Sequence, residues 1–366
     1  MFTLNGITAP VIREDAEMVC RRIAVPLAQL NGTTLLITGA GGFLASHFLE
    51  TLAIFNESAQ PGCRVLAVDN FQTGVPERVS WIQGRADMEL RQADVSRGFD
   101  PGERVDWIIH AAGIASPPVY RRHPLETIDV NVNGTRQMLE ILRRGGRGMI
   151  LLSSSEIYGD PDPAHIPTPE DYRGFVSCTG PRACYDESKR LGETLAVTYH
   201  RLYGSPVKIV RPFNVYGPGQ RLDDGRIIPD LMSAAYYRRP IVLYSDGCAT
   251  RSFCYIRDAI QGMLLVLIAG APGEAYNVGN DEEISIGEAA RIVSRIDGPP
   301  FLPVQFETSA DRDYLSDNPQ RRCPDLKKLK GLENWRPEVK VREGLARTLL
   351  SYRQAAAKQK ETVAAS

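Results

Sequence analysis

Between Thr34 and Phe55 the chain reads TLLIT, then GAGG at residues 39–42, then FLASHFLETLAIF. The first run, apolar or β-branched throughout, suits a buried strand. Three glycines in the four positions that follow permit a turn that side-chain-bearing residues resist. After the turn the apolar residues recur at helical spacing. A strand that turns on glycine straight into a helix restricts what can follow. The helix must fold back over the strand, and the next strand must run parallel to the first.

Four later segments fit that scheme: RVLAV (64–68, ending on Asp69), VDWIIHAAG (105–113), GMILLSSS (148–155) and VKIVRPF (207–213). Helical patterns lie between them, notably residues 124–144 and 184–203. Strands alternating with helices predict an α/β fold, a doubly wound parallel sheet of Rossmann type with helices on both faces. Beyond Asn214 turn residues multiply, as in NVYGPGQRLDDGR, GPPFLPVQF and SDNPQRRCPD. They point to a smaller, loop-rich C-terminal unit that binds substrate and covers the open edge of the sheet. The apolar helix DAIQGMLLVLIAG (258–270) belongs with the main domain, so the two units interleave. The expected organisation is an N-terminal extension over 1–31, a dinucleotide-binding domain over 32–213 plus about 246–272, a substrate unit over about 214–245 and 273–355, and a frayed tail over 356–366. Within the extension, 14–24 fits a short amphipathic helix limited by Pro26.

With 366 residues, two to three units of about 150 residues each are expected, and a sizeable core is available. Lys and Arg (43) nearly balance Asp and Glu (44), which argues against nucleic acid or an anionic membrane surface as the main partner. The seven cysteines, at 20, 63, 178, 184, 248, 254 and 323, form no C-x-x-C pair and have no metal-ligand spacing with the five histidines. They read as reduced thiols of a cytoplasmic protein that holds no metal. The first residues lack the basic start and apolar stretch of an export signal. No window approaches the roughly 18 apolar residues of a membrane span.

The glycine turn invites a specific ligand. Gly39 and Gly42 let the backbone approach a diphosphate, and the helix opening at Phe43 and Leu44 offers free amides and a partial positive charge. Asp69 ends the second strand thirty positions beyond Gly39, placed to accept hydrogen bonds from ribose hydroxyls, with Asn70 beside it. No basic residue follows at once to hold a 2′-phosphate, so NAD is favoured over NADP. Asp94 and Val95 follow a polar strand and fit an adenine edge. Ala111 and Ala112 keep the end of the third strand small enough for a cofactor to lie across it.

Tyr185 and Lys189 form Y-x-x-x-K on a predicted helix, one turn apart on one face. A neighbouring ammonium and the positive charge of a nicotinamide would favour the phenolate, bringing a pKa of about 10 down toward that of a useful base. Ser153, Ser154, Ser155 and Glu156 end the preceding strand at the same sheet edge.

Taken together, TGAGGFLA (38–45), ASPPVY (115–120), SEIYGDP (155–161), GPRACYDESKR (180–190), FNVYGPGQRLDDGRIIP (213–229), TRSFCYIRD (250–258) and RRCPD (321–325) resemble the extended short-chain dehydrogenase/reductases that act as NAD-dependent nucleotide-sugar epimerases, dehydratases and decarboxylases. Within that family they are most similar to UDP-glucuronate decarboxylases. The resemblance runs from about Thr33 to Leu350. It implies that Tyr185 takes the carbon 4 hydroxyl proton, that Lys189 positions the nicotinamide ribose and lowers the tyrosine pKa, and that Ser154 bonds the reacting oxygen. Ser155-Glu156 stands where 4,6-dehydratases of the family carry Asp-Glu and 4-epimerases commonly carry Ser-Ala. Ser155 is a poor acid for expelling a carbon 6 hydroxyl, whereas loss of carbon dioxide from a β-keto acid needs no such acid. For the later reprotonation of carbon 5 the candidates are Glu156, Arg322 and a bound water. Arg322 matches the arginine beside the sugar carboxylate, and Asn214, Arg226, Tyr244 and Arg251 match positions around the diphosphate and sugar.

The chain departs from the family pattern at Ala45, in place of a third glycine, at Cys323, in its long N-terminus and in the loop 308–320. The expected function is conversion of UDP-glucuronate to UDP-xylose or the 4-keto pentose. The alternatives are a nucleotide-sugar 4,6-dehydratase or 4-epimerase, and a non-catalytic NAD-binding protein. Pairing of helices 125–144 and 184–203 into a four-helix bundle, hence a homodimer, is a further implication of the resemblance.

Overall fold

A computed structural model describes residues 9–308 and 319–365, with side chains through 357. Its centre is a seven-stranded sheet, every neighbouring pair parallel. Strands β1 (Thr34–Thr38), β2 (Arg64–Asp69), β3 (Met88–Gln92), β4 (Trp107–His110), β5 (Gly148–Leu152) and β6 (Val207–Pro212) are joined by a seventh, β7 (Ala275–Val278). The spatial order is β7-β6-β5-β4-β1-β2-β3. Strand order reverses between β1 and β4, so a crevice opens there at the carboxyl ends of the strands, the ligand position of doubly wound sheets.

Alternation of side chains along the strands fills both faces. Leu35, Ile37, Ala67 and Ile109 face one core, and Leu36, Leu66, Val68 and Ile108 the other. The first core is sealed by the helices Phe43–Ser58 and Ile256–Ala269, the latter buried along almost its whole length. This second helix packs on β5 and β6, as its unbroken apolar sequence requires.

Several boundaries differ from expectation. Residues 275–278, read with the smaller unit, form β7 of the main sheet; the run is only four residues long and is broken by Asn277, too short to stand out. Residues 356–365, read as a tail, continue the helix Val341–Ala365. The N-terminal helix runs Pro10–Arg22, and a separate turn, Ala24–Leu27, contains Pro26. It packs on Phe43–Ser58 and is tied down where Tyr255 Oη donates to Asp15 Oδ2 at 2.6 Å and Arg347 Nη2 donates to Asp15 Oδ1 at 2.8 Å. The helix expected over 124–144 is interrupted by a wider π turn, Val130–Gly134, which turns Asn131 inward to donate to Ser188 Oγ at 2.9 Å. The loop 308–320 lies almost entirely outside the described residues.

The smaller sheets stand over the carboxyl edge. In one, Thr250–Ser252 pairs antiparallel with Glu283–Ser285 and parallel with Arg321–Arg322, which puts Arg322 opposite Arg251. All seven cysteines are free thiols. Among the described residues no helix is long and apolar enough to cross a membrane, and no cluster of His, Cys, Asp or Glu is arranged to hold a metal.

Candidate active site

The crevice beside β1 is lined by Gly39, Gly42, Asp69, Asn70, Asp94, Val95, Ala111 and Ala112. The glycine turn is shaped by contact. Gly39 has φ +74°, and a Cβ there would come within 2.7 Å of Ala112 N. Gly42 caps the helix Phe43–Ser58 with no side-chain bond to its first amides, which leaves them free for an anion. Phe43 and Leu44 lie at that helix start, off the lining itself. The Asp69 carboxylate is fixed by Gly41 N at 2.9 Å and Phe71 N at 2.7 Å. Burial pushes its pKa up while those amides pull it down. Asn70 accepts from Gln72 N, and Asp94 is held by Ser96 N and Oγ at 3.0 and 2.6 Å. An amide-rich turn at a free helix end and a fixed carboxylate at the next strand fit the diphosphate and the adenosine ribose of NAD.

Strand β5 runs into Ser153–Glu156, and the helix Ala183–Tyr203 brings Tyr185 and Lys189 against it. Lys189 Nζ donates to Leu152 O at 2.7 Å, lies 5.8 Å from the centre of the Tyr185 ring and borders the cofactor crevice at Gly113. Burial pulls the lysine pKa down to about 8, opposed by Glu193. In the chain alone, without the nicotinamide charge, Tyr185 is pushed up to about 12. Burial outweighs the hydrogen bond from Ser154, and the Glu156 and Asp186 charges add to it. Tyr120 stacks on Tyr185 with centroids 5.2 Å apart and planes 10° apart. Behind the strand end, Ser153 Oγ donates to Glu193 Oε1 at 2.5 Å and Arg211 grips the same carboxylate.

Glu156 is clamped between two guanidiniums, those of Arg322 and Arg182. Burial alone would raise its pKa, but the two arginines hold it at about 2. It is therefore an anion here and unable to act as the acid candidate for carbon 5 while both pairs persist. Arg182 also lies 3.5 Å from Asp186, whose pKa burial lifts to about 7. Ser155 is buried beside this clamp. Arg251, opposite Arg322, is itself buried, with its pKa pulled down to about 10. Among the described residues, Tyr120 Oη, Asp186 Oδ1 and Arg322 Nε are buried in this wall without a hydrogen-bond partner, as suits a wall built for a polar ligand.

The substrate candidates do not all converge. Asn214, in the left-handed region at φ +41°, bonds Ser252 O at 3.4 Å next to Arg251. Arg226 is paired with Asp224 and close enough to Tyr185 to act on its charge. Tyr244 is 42% exposed, on the surface rather than in the buried wall around Glu156. Tyr120, Arg182 and Asp186 complete that wall, although their residue types and spacing alone do not mark them as site residues. Tyr120 lies inside the motif ASPPVY, and Arg182 and Asp186 inside GPRACYDESKR, so position in a motif is the available signal.

A doubly wound parallel sheet whose carboxyl edge carries a dinucleotide turn and a buried Tyr-Lys pair defines a short-chain dehydrogenase/reductase type of protein. The chain belongs to the NAD dependent epimerase/dehydratase family, whose model matches residues 35–279. It is 39% identical to UDP-glucuronic acid decarboxylase 3 of Arabidopsis thaliana over 85% of this chain and 86% of that protein. It is 36% identical to UDP-glucuronic acid decarboxylase 1 of Xenopus tropicalis, over 90% of this chain and 74% of that one. Among solved structures it is similar to DesIV, a dTDP-glucose 4,6-dehydratase from Streptomyces venezuelae with NAD and TYD bound, with TM-score 0.76 and 27% identity over 89% of this chain and 98% of that one. Its cofactor is NAD.

Proposed function

We propose that the protein decarboxylates UDP-glucuronate to UDP-xylose or the 4-keto pentose. The observation that carries this reading is the pair of guanidiniums, Arg322 and Arg182, gathered on Glu156 beside Tyr185. A planar fork that already binds one carboxylate suits the carboxylate of a uronic acid. A neutral hexose offers it nothing comparable. The relatives named UDP-glucuronic acid decarboxylases support the same reading.

When bound, NAD takes up a hydride from carbon 4 and can return it. The chain's own residues do the rest. Tyr185 removes the carbon 4 hydroxyl proton, with Ser154 on the reacting oxygen and the Lys189 ammonium stabilising the phenolate. The carbon 4 ketone makes the sugar a β-keto acid, carbon dioxide leaves into an enolate that the ketone holds, and with Glu156 held as an anion, water supplies the proton that returns to carbon 5. Arg322 orients the carboxylate. Asn214, Arg226 and Arg251 meet the diphosphate and sugar. The anionic Glu156 keeps the arginines in register.

Incubation of the full chain with UDP-glucuronate and NAD, followed by mass spectrometry, tests the proposal. Loss of carbon dioxide is expected. Loss of water would indicate a dehydratase, an unchanged mass with altered chromatography an epimerase, and either would overturn it.

We also propose a homodimer. Leu125 (71% exposed) on the helix Pro124–Asp129, and Leu191 (46%) and Leu202 (67%) on the neighbouring helix Ala183–Tyr203, leave apolar side chains bare on two packed helices. The seven free thiols suit a reducing, cytoplasmic setting.

A further inference from the structure

Three side chains from three distant segments converge on successive carbonyls of one loop. His47 Nε2 is 2.9 Å from Pro218 O, Arg78 Nη2 donates to Gly219 O at 2.6 Å, and Tyr352 Oη donates to Gln220 O at 2.6 Å. His47 is buried and kept uncharged, with its pKa pulled down to about 4, so the ring nitrogen facing the carbonyl carries a proton in the donor tautomer. The loop cannot easily take another shape. Gly219 sits at φ +81°, and a Cβ on Gly217 would come within 2.4 Å of the Ile256 side chain.

Arg78 differs from the other two donors because it holds a second loop as well. Its Nη1 donates to Gly41 O at 3.0 Å, the middle glycine of the dinucleotide turn. That carbonyl also accepts from Val75 N at 3.0 Å, and the Gly41 amide bonds Asp69. On the other side the stapled loop runs directly into the substrate arm. Gln220 Nε2 lies 3.5 Å from Asp224 Oδ2, Arg226 Nε donates to the same oxygen at 2.7 Å, and Ser116 Oγ holds Asp224 O at 3.0 Å. The guanidinium is thus gripped by carbonyls of both loops, and no carboxylate forms a salt bridge with it among the described residues.

We infer that Arg78 couples the two ligand sites, as a positioning residue whose single planar fork ties the NAD turn at Gly41 to the nucleotide-sugar loop at Gly219. Ordering the turn around the cofactor's diphosphate fixes Gly41 O, and through Arg78 it fixes the loop that delivers Arg226. The cofactor thereby prepares the nucleotide-sugar site, and by linkage the nucleotide tightens the cofactor equally. Lysine cannot substitute, since one ammonium on a flexible stem lacks the two-pronged geometry. This inference rests on the proposal that the turn takes NAD and the Arg226 segment takes the nucleotide sugar.

The test is calorimetric titration of UDP into the full-length protein with and without saturating NAD. In the unmodified protein UDP binding is expected to tighten at least about fivefold with NAD present, at the lower end of ordinary coupling factors. In Arg78→Met and in Arg78→Lys the factor is expected to fall below about twofold while each ligand still binds alone. Thermal melts establish that the variants are folded, and should Arg78→Met fail to fold, Arg78→Lys decides. A variant that keeps the fivefold factor, or an unmodified protein that shows none, overturns the coupling and leaves the functional reading intact. Failure of UDP and NAD to bind the unmodified chain at all would overturn the functional reading, and this inference with it.

Discussion

Glu156 and Arg322, 166 positions apart in sequence, form an ion pair at the junction of the two units. Glu156 belongs to the turn that ends β5, and Arg322 to a short strand of the smaller sheet. Their pairing therefore joins the reaction-bearing edge of the main sheet to the cap. It also explains how a chain with almost balanced charge can hold a substrate carrying a diphosphate and a carboxylate. On the proposed reading, a few arginines drawn to one wall meet the anion, and the buried Glu156 carboxylate holds two of them in place.

Arg322→Ala is expected to lower kcat/KM for UDP-glucuronate by at least about 100-fold while UDP alone binds within about twofold of normal, since the arginine meets the sugar carboxylate and not the nucleotide. Stability should also fall, by on the order of 2 kcal/mol. That is less than the ~3–5 kcal/mol for stripping a buried charge of its only partner, because Arg182 still holds Glu156. Carbon dioxide release and UDP calorimetry check the two halves. An unchanged rate would remove Arg322 from the carboxylate.

Tyr185→Phe keeps the stack on Tyr120 and removes only the phenolic oxygen. We expect kcat to fall by about 10²–10⁴, the usual worth of a positioned acid–base group, with KM nearly unchanged. Steady-state kinetics on UDP-glucuronate give the answer, and near-normal turnover would assign the base elsewhere. The tyrosine stands at about 12 in the chain alone. A base must be deprotonated to act, so the rising, acidic limb of the wild-type pH–rate profile reports how far the loaded site brings it down.

Asp186 goes from an ordinary pKa of 3.8 in the unfolded chain to about 7 in the fold, raised by burial. A carboxyl with a raised folded value stabilises the native state fully below the unfolded value, and that contribution is lost as pH rises toward the folded one. Asp186→Asn, which cannot ionise, should therefore be increasingly stabilised relative to wild type from about pH 4 to about pH 7, with a plateau above. The plateau is on the order of 2–4 kcal/mol, since each tenfold change in proton affinity is worth about 1.4 kcal/mol. Glu156 behaves oppositely. Held at about 2 against an ordinary 4.5, it contributes stability above about pH 4.5 that is lost as pH falls toward 2. Melting temperatures across that range measure both, and a wild-type-to-Asn gap that is flat with pH would contradict the Asp186 account.

Local signals made the centre of the fold legible, because β1, its glycine turn and the following helix each follow from spacing and conformational freedom within a few residues. Strands of mixed polarity were harder to see. Met88–Gln92, read as a polar strand before Asp94, carries Glu, Arg and Gln on an edge, and Ala275–Val278 is four residues long and broken by Asn277, so neither shows the unbroken apolar run of β4 or β5. At the site, Tyr185, Lys189 and the serines were readable as types at fixed spacing. The ionisation of Glu156 was not, since it depends on Arg182 and Arg322 arriving from elsewhere in the chain. Tyr185 shows the same limit from the other side. Ser154 and Lys189 beside it were foreseen, but its burial, which dominates its proton affinity, is a property of the whole packed molecule.

Gly74→Ala tests the cofactor site without replacing a functional side chain. Gly74 lies in the lining, and a Cβ there would come within 2.7 Å of Asp69 Oδ1, a carboxylate already fixed by two amides. The carboxylate must swing off the ribose position, so NAD binding should weaken at least tenfold, about 1.4 kcal/mol. UDP binding measured without NAD should change less than twofold. A normal NAD affinity would mean that Asp69 does not hold the ribose.

The exposed leucines give the last expectation. On the helices Pro124–Asp129 and Ala183–Tyr203, Leu125 and Leu191 are exposed while the opposite faces bury Thr127, Tyr185 and Lys189. If a second copy covers this face, the helix that carries the catalytic pair is braced from outside by the partner. Sedimentation velocity of the wild type should then report a dimer, and Leu125→Glu with Leu191→Glu, which places charges in an apolar contact, should report a monomer. Because Tyr185 and Lys189 ride on the braced helix, the monomer should lose turnover more than it loses UDP affinity. A wild type that sediments as a monomer would leave the leucines as ordinary exposed side chains and would remove the brace from any account of catalysis.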